Sequence, residues 1–126
     1  MFMINPLTIN KEFFVMEKSA KIALLNDNFR NTLEGGLVLV TKEFNELSDE
    51  LKNSAVEKIR EFSDFSEDND PYFEHDIAIV RLVSLKKAFK FHIDYYDKAD
   101  NNLGSKNPED ADKTLRVMTI SSVPFI

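Results

Sequence analysis

At 126 residues, with 43% hydrophobic and 30% charged side chains, the chain is sized for one domain and too apolar to remain disordered. Its net charge of -6 opposes phosphate backbones, which disfavours direct nucleic-acid binding and suits a protein partner with a basic surface. The absence of cysteine excludes a disulfide framework and thiolate metal sites, so a reducing cytoplasm is the simplest setting.

The chain opens on Met1-Phe2-Met3-Ile4-Asn5-Pro6-Leu7, which has no basic flank and whose apolar run is broken by Asn5 and Pro6. It does not read as a signal peptide, and no later stretch approaches the roughly 20 apolar residues that span a bilayer. Residues 1–10 read as a loose arm or an edge strand within a single domain covering residues 1–126. From about Asn10 the pattern is helical, with Val15, Ile22, Leu25, Phe29 and Leu33 on one face, and Gly35 and Gly36 supply a stop. Leu37 to Thr41, short and β-branched, reads as a strand covered on both faces. Ser48 is suited to cap a second helix. Asp49 and Glu50 lie in its first turn, and Leu51, Ala55, Ile59 and Phe62 form its buried stripe.

Residues 63–76 form an acidic loop with Asn69-Asp70-Pro71 as its turn signal. Ile77–Val83 is a strand, and Ser84–Lys87 turns the chain into a second strand, Ala88–Tyr96. There Phe89, Phe91, Ile93 and Tyr95 alternate with Lys90, His92, Asp94 and Tyr96, which predicts an antiparallel hairpin with the first set facing the helices. A polar loop over residues 97–113 leads to a last strand, Thr114–Ser121. The order α-β-α-β-β-β predicts an α+β fold, a mostly antiparallel sheet of about four strands with two helices packed on one face.

Both histidines sit among acids, in Asn69-Asp70-Pro71-Tyr72-Phe73-Glu74-His75-Asp76 and in His92-Ile93-Asp94-Tyr95-Tyr96-Asp97. If the hairpin brings the start of one strand beside the end of the next, these groups gather at one end of the sheet, a usable set for a divalent metal or for acid–base chemistry. The spacing matches no standard catalytic motif, and turn formation or structural hydrogen bonding accounts for the same residues. His75 and Asp76 fall on opposite strand faces, and His92 and Asp94 share theirs with Lys90, so no metal and no cofactor is expected. Asp27 and Arg30 are spaced to pair on a solvated helix face. Arg116, in an apolar strand, needs a carboxylate partner. Asp27, Arg30, His75, Asp94 and Arg116 are therefore expected in a structural network, with Asp70, Glu74 and Asp94 gathered on Arg116 or a histidine.

With these residues laid out, the chain resembles a bacterial family of unknown function, DUF3768. The resemblance runs through Leu25-Asn26-Asp27-x-x-Arg30, Gly35-Gly36, Thr41, Phe62-x-x-Phe65, Asp68-Asn69-Asp70-Pro71-Tyr72 and Glu74-His75-Asp76. It continues through Ile93-Asp94-Tyr95-Tyr96-Asp97, Ser105, Pro108 and Thr114-x-Arg116-Val117-x-Thr119-Ile120, and so covers about Ile22 to Ile120. The chain departs from the family pattern at Phe73 and Ala78, where the pattern has glycine, at His92, where it has lysine, and in the tail from Ser121. The resemblance implies a small protein often carried on plasmids and other mobile elements, and brings no assigned activity or catalytic residue. Charge and resemblance together suggest an interaction protein that inhibits a host defence complex, CRISPR or restriction, by covering a basic nucleic-acid-binding surface. Its expected contact surface is Asp64, Glu67, Asp68, Asp70, Glu74, Asp76 and Asp97, with Asp100, Glu109, Asp110 and Asp112 as a second acidic group. The alternative is a small metal-dependent hydrolase or other enzyme using Glu74-His75-Asp76 with His92 and Asp94.

Overall fold

The structure is a computed structural model that describes residues 6–126, with side chains from Glu17 onward. The elements run α1 (Pro6–Thr32), β1 (Gly36–Val40), α2 (Lys42–Asn45), α3 (Asp49–Glu61), β2 (Ile77–Leu82), a 3-10 turn (Val83–Leu85), β3 (Lys87–Asp97) and β4 (Thr114–Val123). The arm expected over residues 1–10 falls outside the described residues at 1–5, and α1 already runs from Pro6. The expected apolar face of α1 holds at Ile22 and Phe29, both buried, while the side chain of Val15 lies outside the described residues.

The four strands form one mixed sheet in the order β1-β4-β3-β2. The β2–β3 hairpin is antiparallel, from Ile77 opposite His92 to Leu82 opposite Lys87, and the left-handed Lys86 (φ 51°) closes its turn. β4 lies antiparallel to β3 along its whole length, whereas β1 pairs with β4 in parallel, Gly36 opposite Arg116 and Val40 opposite Ile120. The predicted α+β class and hairpin register hold, and the sheet carries one parallel pairing.

One face of the sheet carries Phe89, Phe91 and Ile93 of β3, Met118 and Ile120 of β4, and Ala78 and Val80 of β2. These pack against Phe29 of α1 and Ala55 and Ile59 of α3, with Leu51, Phe62 and Tyr95 at the margin. Ser48 caps α3 as the sequence implies, its side chain accepting from Leu51 N. The sequence reading missed α2. Thr41 caps this short turn by accepting from Phe44 N, and the turn exists to deliver Phe44 to the core, edge-on to Phe89 at 5.6 Å.

Two expectations around β1 need correction. Leu33 (φ 60°), not a glycine, takes the left-handed position that ends α1, its N–H bonding to Phe29 O at 2.7 Å, and Gly35 (φ 98°) completes the reversal. Gly36 is needed for another reason: a Cβ there would lie 2.3 Å from Arg116 O and 2.9 Å from the Phe29 ring. β1 is also not covered on both faces. It is an edge strand, and although Val38 packs inward, Leu37 and Leu39 are each 51% exposed. No described helix is long and apolar enough to cross a membrane.

The two glycines should therefore respond differently to alanine. Gly36→Ala forces backbone and ring apart and should cost about 1–3 kcal/mol. Gly35→Ala has open space around its Cβ and should lose only about 1 kcal/mol of left-handed strain. Urea unfolding of both variants measures the order, and a neutral Gly36→Ala would contradict the packing described.

Candidate functional site

The residues that carry the sequence resemblance converge where α1 crosses the acidic loop and the starts of β2 and β4. Consecutive residues of α1 meet consecutive residues of the loop: Asn26 contacts Glu74, and Asp27 contacts His75.

Asn26 is fully buried. Its Nδ2 donates to Glu74 O (2.9 Å) and Tyr95 Oη (2.7 Å), and its Oδ1 accepts from Arg116 Nε (2.8 Å). Tyr95 donates onward to Glu74 Oε2 at 3.0 Å. Arg116 also donates to Pro108 O and lies 5.3 Å from the Tyr95 ring centroid. The buried guanidinium thus rests on an amide and a carbonyl rather than on the expected carboxylate. Glu74 and Glu109 act on it only through space, and burial outweighs them in lowering its pKa.

Asp27 forms the second centre. It accepts from Arg30 Nη2 at 3.0 Å and from His75 Nδ1 at 2.9 Å. Arg30, expected on a solvated face, is only 3% exposed: it donates to Phe62 O and sits 5.1 Å and 5.3 Å from the Phe65 and Phe91 ring centroids. The His75 ring stacks on Phe65 at 4.1 Å, and its Nε2 lies 3.7 Å from Asp70. Asp70, expected on an acidic surface, is 2% exposed. Its carboxylate accepts from Glu74 N and His75 N, so the concavity of backbone N–H groups made by this loop is filled by the protein's own anion. Phe73 (φ 59°) and His75 (φ 57°) flank Glu74, both left-handed, a strained conformation for side chains of this size.

The other expected residues are dispersed. β3 outruns β2: Ile93 N still donates to Asp76 O, and beyond it the strand pairs with β4 and with the loop at Leu103–Ser105, so the two histidine clusters meet only through Tyr95 on Glu74 and through His92 and Asp94 near Asp76. Asp94 meets His92 at 3.6 Å on the sheet face away from the helices, outside the network. Asp97 folds the next loop by accepting from Ala99 N and Asp100 N. Asp64, Glu67 and Asp68 are exposed; Glu74 and Asp76 are half-buried, and burial pushes both of their carboxyl pKa values up, helped by nearby acids. Among the described residues, no three His, Asp or Glu side chains are grouped to hold a metal ion. Beside the network runs a groove of about 710 Å³, lined by Ser19, Ala20, Ala23, Leu24 and Phe73, with Asp27 and His75 as its ionisable members.

The fold and site define a small α+β domain in which a helix is locked to a mixed sheet by buried polar side chains beneath an acidic loop. The chain belongs to the family DUF3768, described as a protein of unknown function, whose match covers residues 40–122. Asn26, Asp27 and Arg30 precede the matched residues, yet they join its two halves. No curated protein and no solved structure matches the chain.

Replacing Asn26 by Ala strands Arg116 Nε and the Glu74 carbonyl together, and should cost about 2–4 kcal/mol in urea unfolding. Glu74 supplies a pH test. Folding raises its pKa above the ordinary 4.5, so the stability it contributes is present below pH 4.5 and is lost as pH rises through the higher folded value. Glu74→Gln keeps an acceptor for Tyr95 and removes the ionisation. Its melting temperature should fall less than that of the parent as pH rises above about 4.5, and parallel curves would count against the assignment.

Proposed function

We propose that the chain is a protein-interaction domain that engages a basic partner through the loop of residues 63–76. The observation that carries this reading is the display of aromatic side chains within an acidic segment. Tyr72 and Phe73 are 74% and 55% exposed, and Asp64, Glu67 and Asp68 on the same loop are exposed acids. From Glu61 to Val80 there is no Lys or Arg. An apolar centre with a charged rim is the usual anatomy of a protein interface.

Phe73 strengthens the reading. It stands where the family pattern has glycine, in a left-handed conformation that costs a bulky residue about 1–2 kcal/mol and glycine almost nothing. The ring lines the groove beside α1, and packing within the fold does not account for it. A ring retained against local strain on an open surface suits contact with a partner. In the specific form suggested by charge and resemblance, the partner is a nucleic-acid-binding component of a host defence complex, CRISPR or restriction. Its basic groove would be covered in the cytoplasm by a protein carried on a mobile element.

The alternative, an enzyme, draws on the Asp27–His75 pair at the groove. Its ring nitrogens both face carboxylates, Asp27 on one side and buried Asp70 on the other, which suits a fixed imidazole better than a general base facing the groove.

Capture from a bacterial lysate tests the reading. The parent should retain a basic protein that elutes with salt. Tyr72→Ser with Phe73→Gly, and separately Asp64→Asn with Glu67→Gln and Asp68→Asn, should each reduce capture about tenfold or more. Retention unchanged by both sets would reject this face as the contact.

A further inference from the structure

The groove beside α1 runs from Ser19 to Asp27, a little over two helical turns or about 12 Å. Ser19, Ala20 and Ala23 give it a low floor. Two large apolar side chains border it, Leu24 at 70% exposure and Phe73 at 55%. Its volume of about 710 Å³ lies within the roughly 300–1,000 Å³ of clefts that bury a ligand.

Backbone chemistry restricts what can lie there. The N–H groups of Glu74 and His75, on the loop side of the groove, are taken by the Asp70 carboxylate, and the Glu74 carbonyl accepts from Asn26. The backbone of α1 is spent within the helix. An extended segment entering the groove would therefore lose its bonds to water and find no ladder to replace them. A helix satisfies its own backbone and presents only side chains, and the small residues of α1 let a second helix axis come close.

Charge restricts the occupant further. Asp27, with a side chain 40% exposed, is the anionic member of the lining, and no Lys or Arg lines the groove. Its Oδ1 accepts from Arg30 and His75, whereas its Oδ2 meets His75 alone and can take a further donor. Asp70 and Glu74 add negative charge on the loop side. Arg30, the cation that faces Asp27 from within, is buried and does not reach the groove. On the same stretch of α1, Lys18 is paired with Glu109 and Lys21 with Glu17.

We propose that the groove receives the apolar face of a basic amphipathic helix on the partner, with one Lys or Arg of that helix reaching Asp27. The proposal rests on the reading of the acidic loop as the contact with a basic protein and adds the form of that contact. Apolar side chains at helical spacing fill the space between Leu24 and Phe73 over the floor of small residues. Phe73 then serves both surfaces, as the wall of the groove and as part of the loop.

The probe is a labelled synthetic peptide of leucine and lysine, with leucine at helical spacing, titrated with the full chain by fluorescence anisotropy. It should bind with a dissociation constant on the order of 10 µM. Ala20→Trp, which fills the floor, and Phe73→Gly should each weaken binding about tenfold or more, whereas Lys21→Trp, outside the lining, should leave it unchanged. Ala20 and Phe73 are both exposed, and unfolding midpoints confirm that the variants fold. The same leucines with glutamate in place of lysine, and a leucine–lysine peptide with strand alternation, should each bind about tenfold more weakly. No binding up to about 1 mM, equal binding of the glutamate or alternating peptide, or indifference to Ala20→Trp would each overturn the proposal. So would self-association of the chain that Ala20→Trp abolishes, which would give the groove to a second copy. Ala20→Trp leaves the loop intact, so its failure rejects the groove alone, while the loop substitutions above test the loop.

Discussion

One buried amide joins the parts of this fold. Asn26 binds α1 to the loop through Glu74, to β3 through Tyr95 and to β4 through Arg116. Only a carboxamide satisfies all three contacts, because the position needs two donated hydrogens and one accepting oxygen. A carboxylate would suit Arg116 but could not donate to the Glu74 carbonyl or to the tyrosine oxygen. The usual pairing of a buried arginine with an acid gives way here to a neutral centre, and the negative charge moves one bond outward to Glu74, at the end of the Tyr95 hydroxyl. The result is a chain of hydrogen bonds in which Arg116 and Asn26 donate inward and Tyr95 passes the polarity to a half-buried carboxylate.

The loop above this centre is held from several sides, which explains how it keeps two large residues left-handed. Asp70 grips the backbone N–H groups of Glu74 and His75 from within, Asp27 holds the His75 imidazole, and Phe65 stacks on its face. Arg30 lies beneath. Among the described residues its Nε and Nη1 have no hydrogen-bond partner, but its guanidinium is neutralised by Asp27 and faces two phenyl rings. Cation–π attraction offsets part of what those nitrogens lose on leaving water. The strain at Phe73 and His75 is thus carried by a polar cluster outside the hydrophobic core.

Much of the fold was legible because its signals are local. Alternation fixed the register of β3, and Ser48 marked the start of α3. The errors lie where long-range partners decide. The apolar run of β1 looks like a central strand, but its place at the edge follows from the parallel pairing with β4, some eighty positions downstream in sequence. The Gly-Gly pair looks like a helix stop, yet Gly36 answers to Arg116 and Phe29. The site divides the same way. The motif strings marked Asp27, Arg30, His75 and Arg116, and of their contacts only the local Asp27–Arg30 pair could be placed from spacing. Asp70 was expected both on the acidic surface and beside a histidine; the second holds, with His75 Nε2 at 3.7 Å, but a turn signal carries no information about the backbone N–H groups its carboxylate accepts. Asn26 and Tyr95 stood in plain view within the motif strings, but neither has charge or catalytic character to draw notice, and their importance appears only once α1 is laid across the sheet.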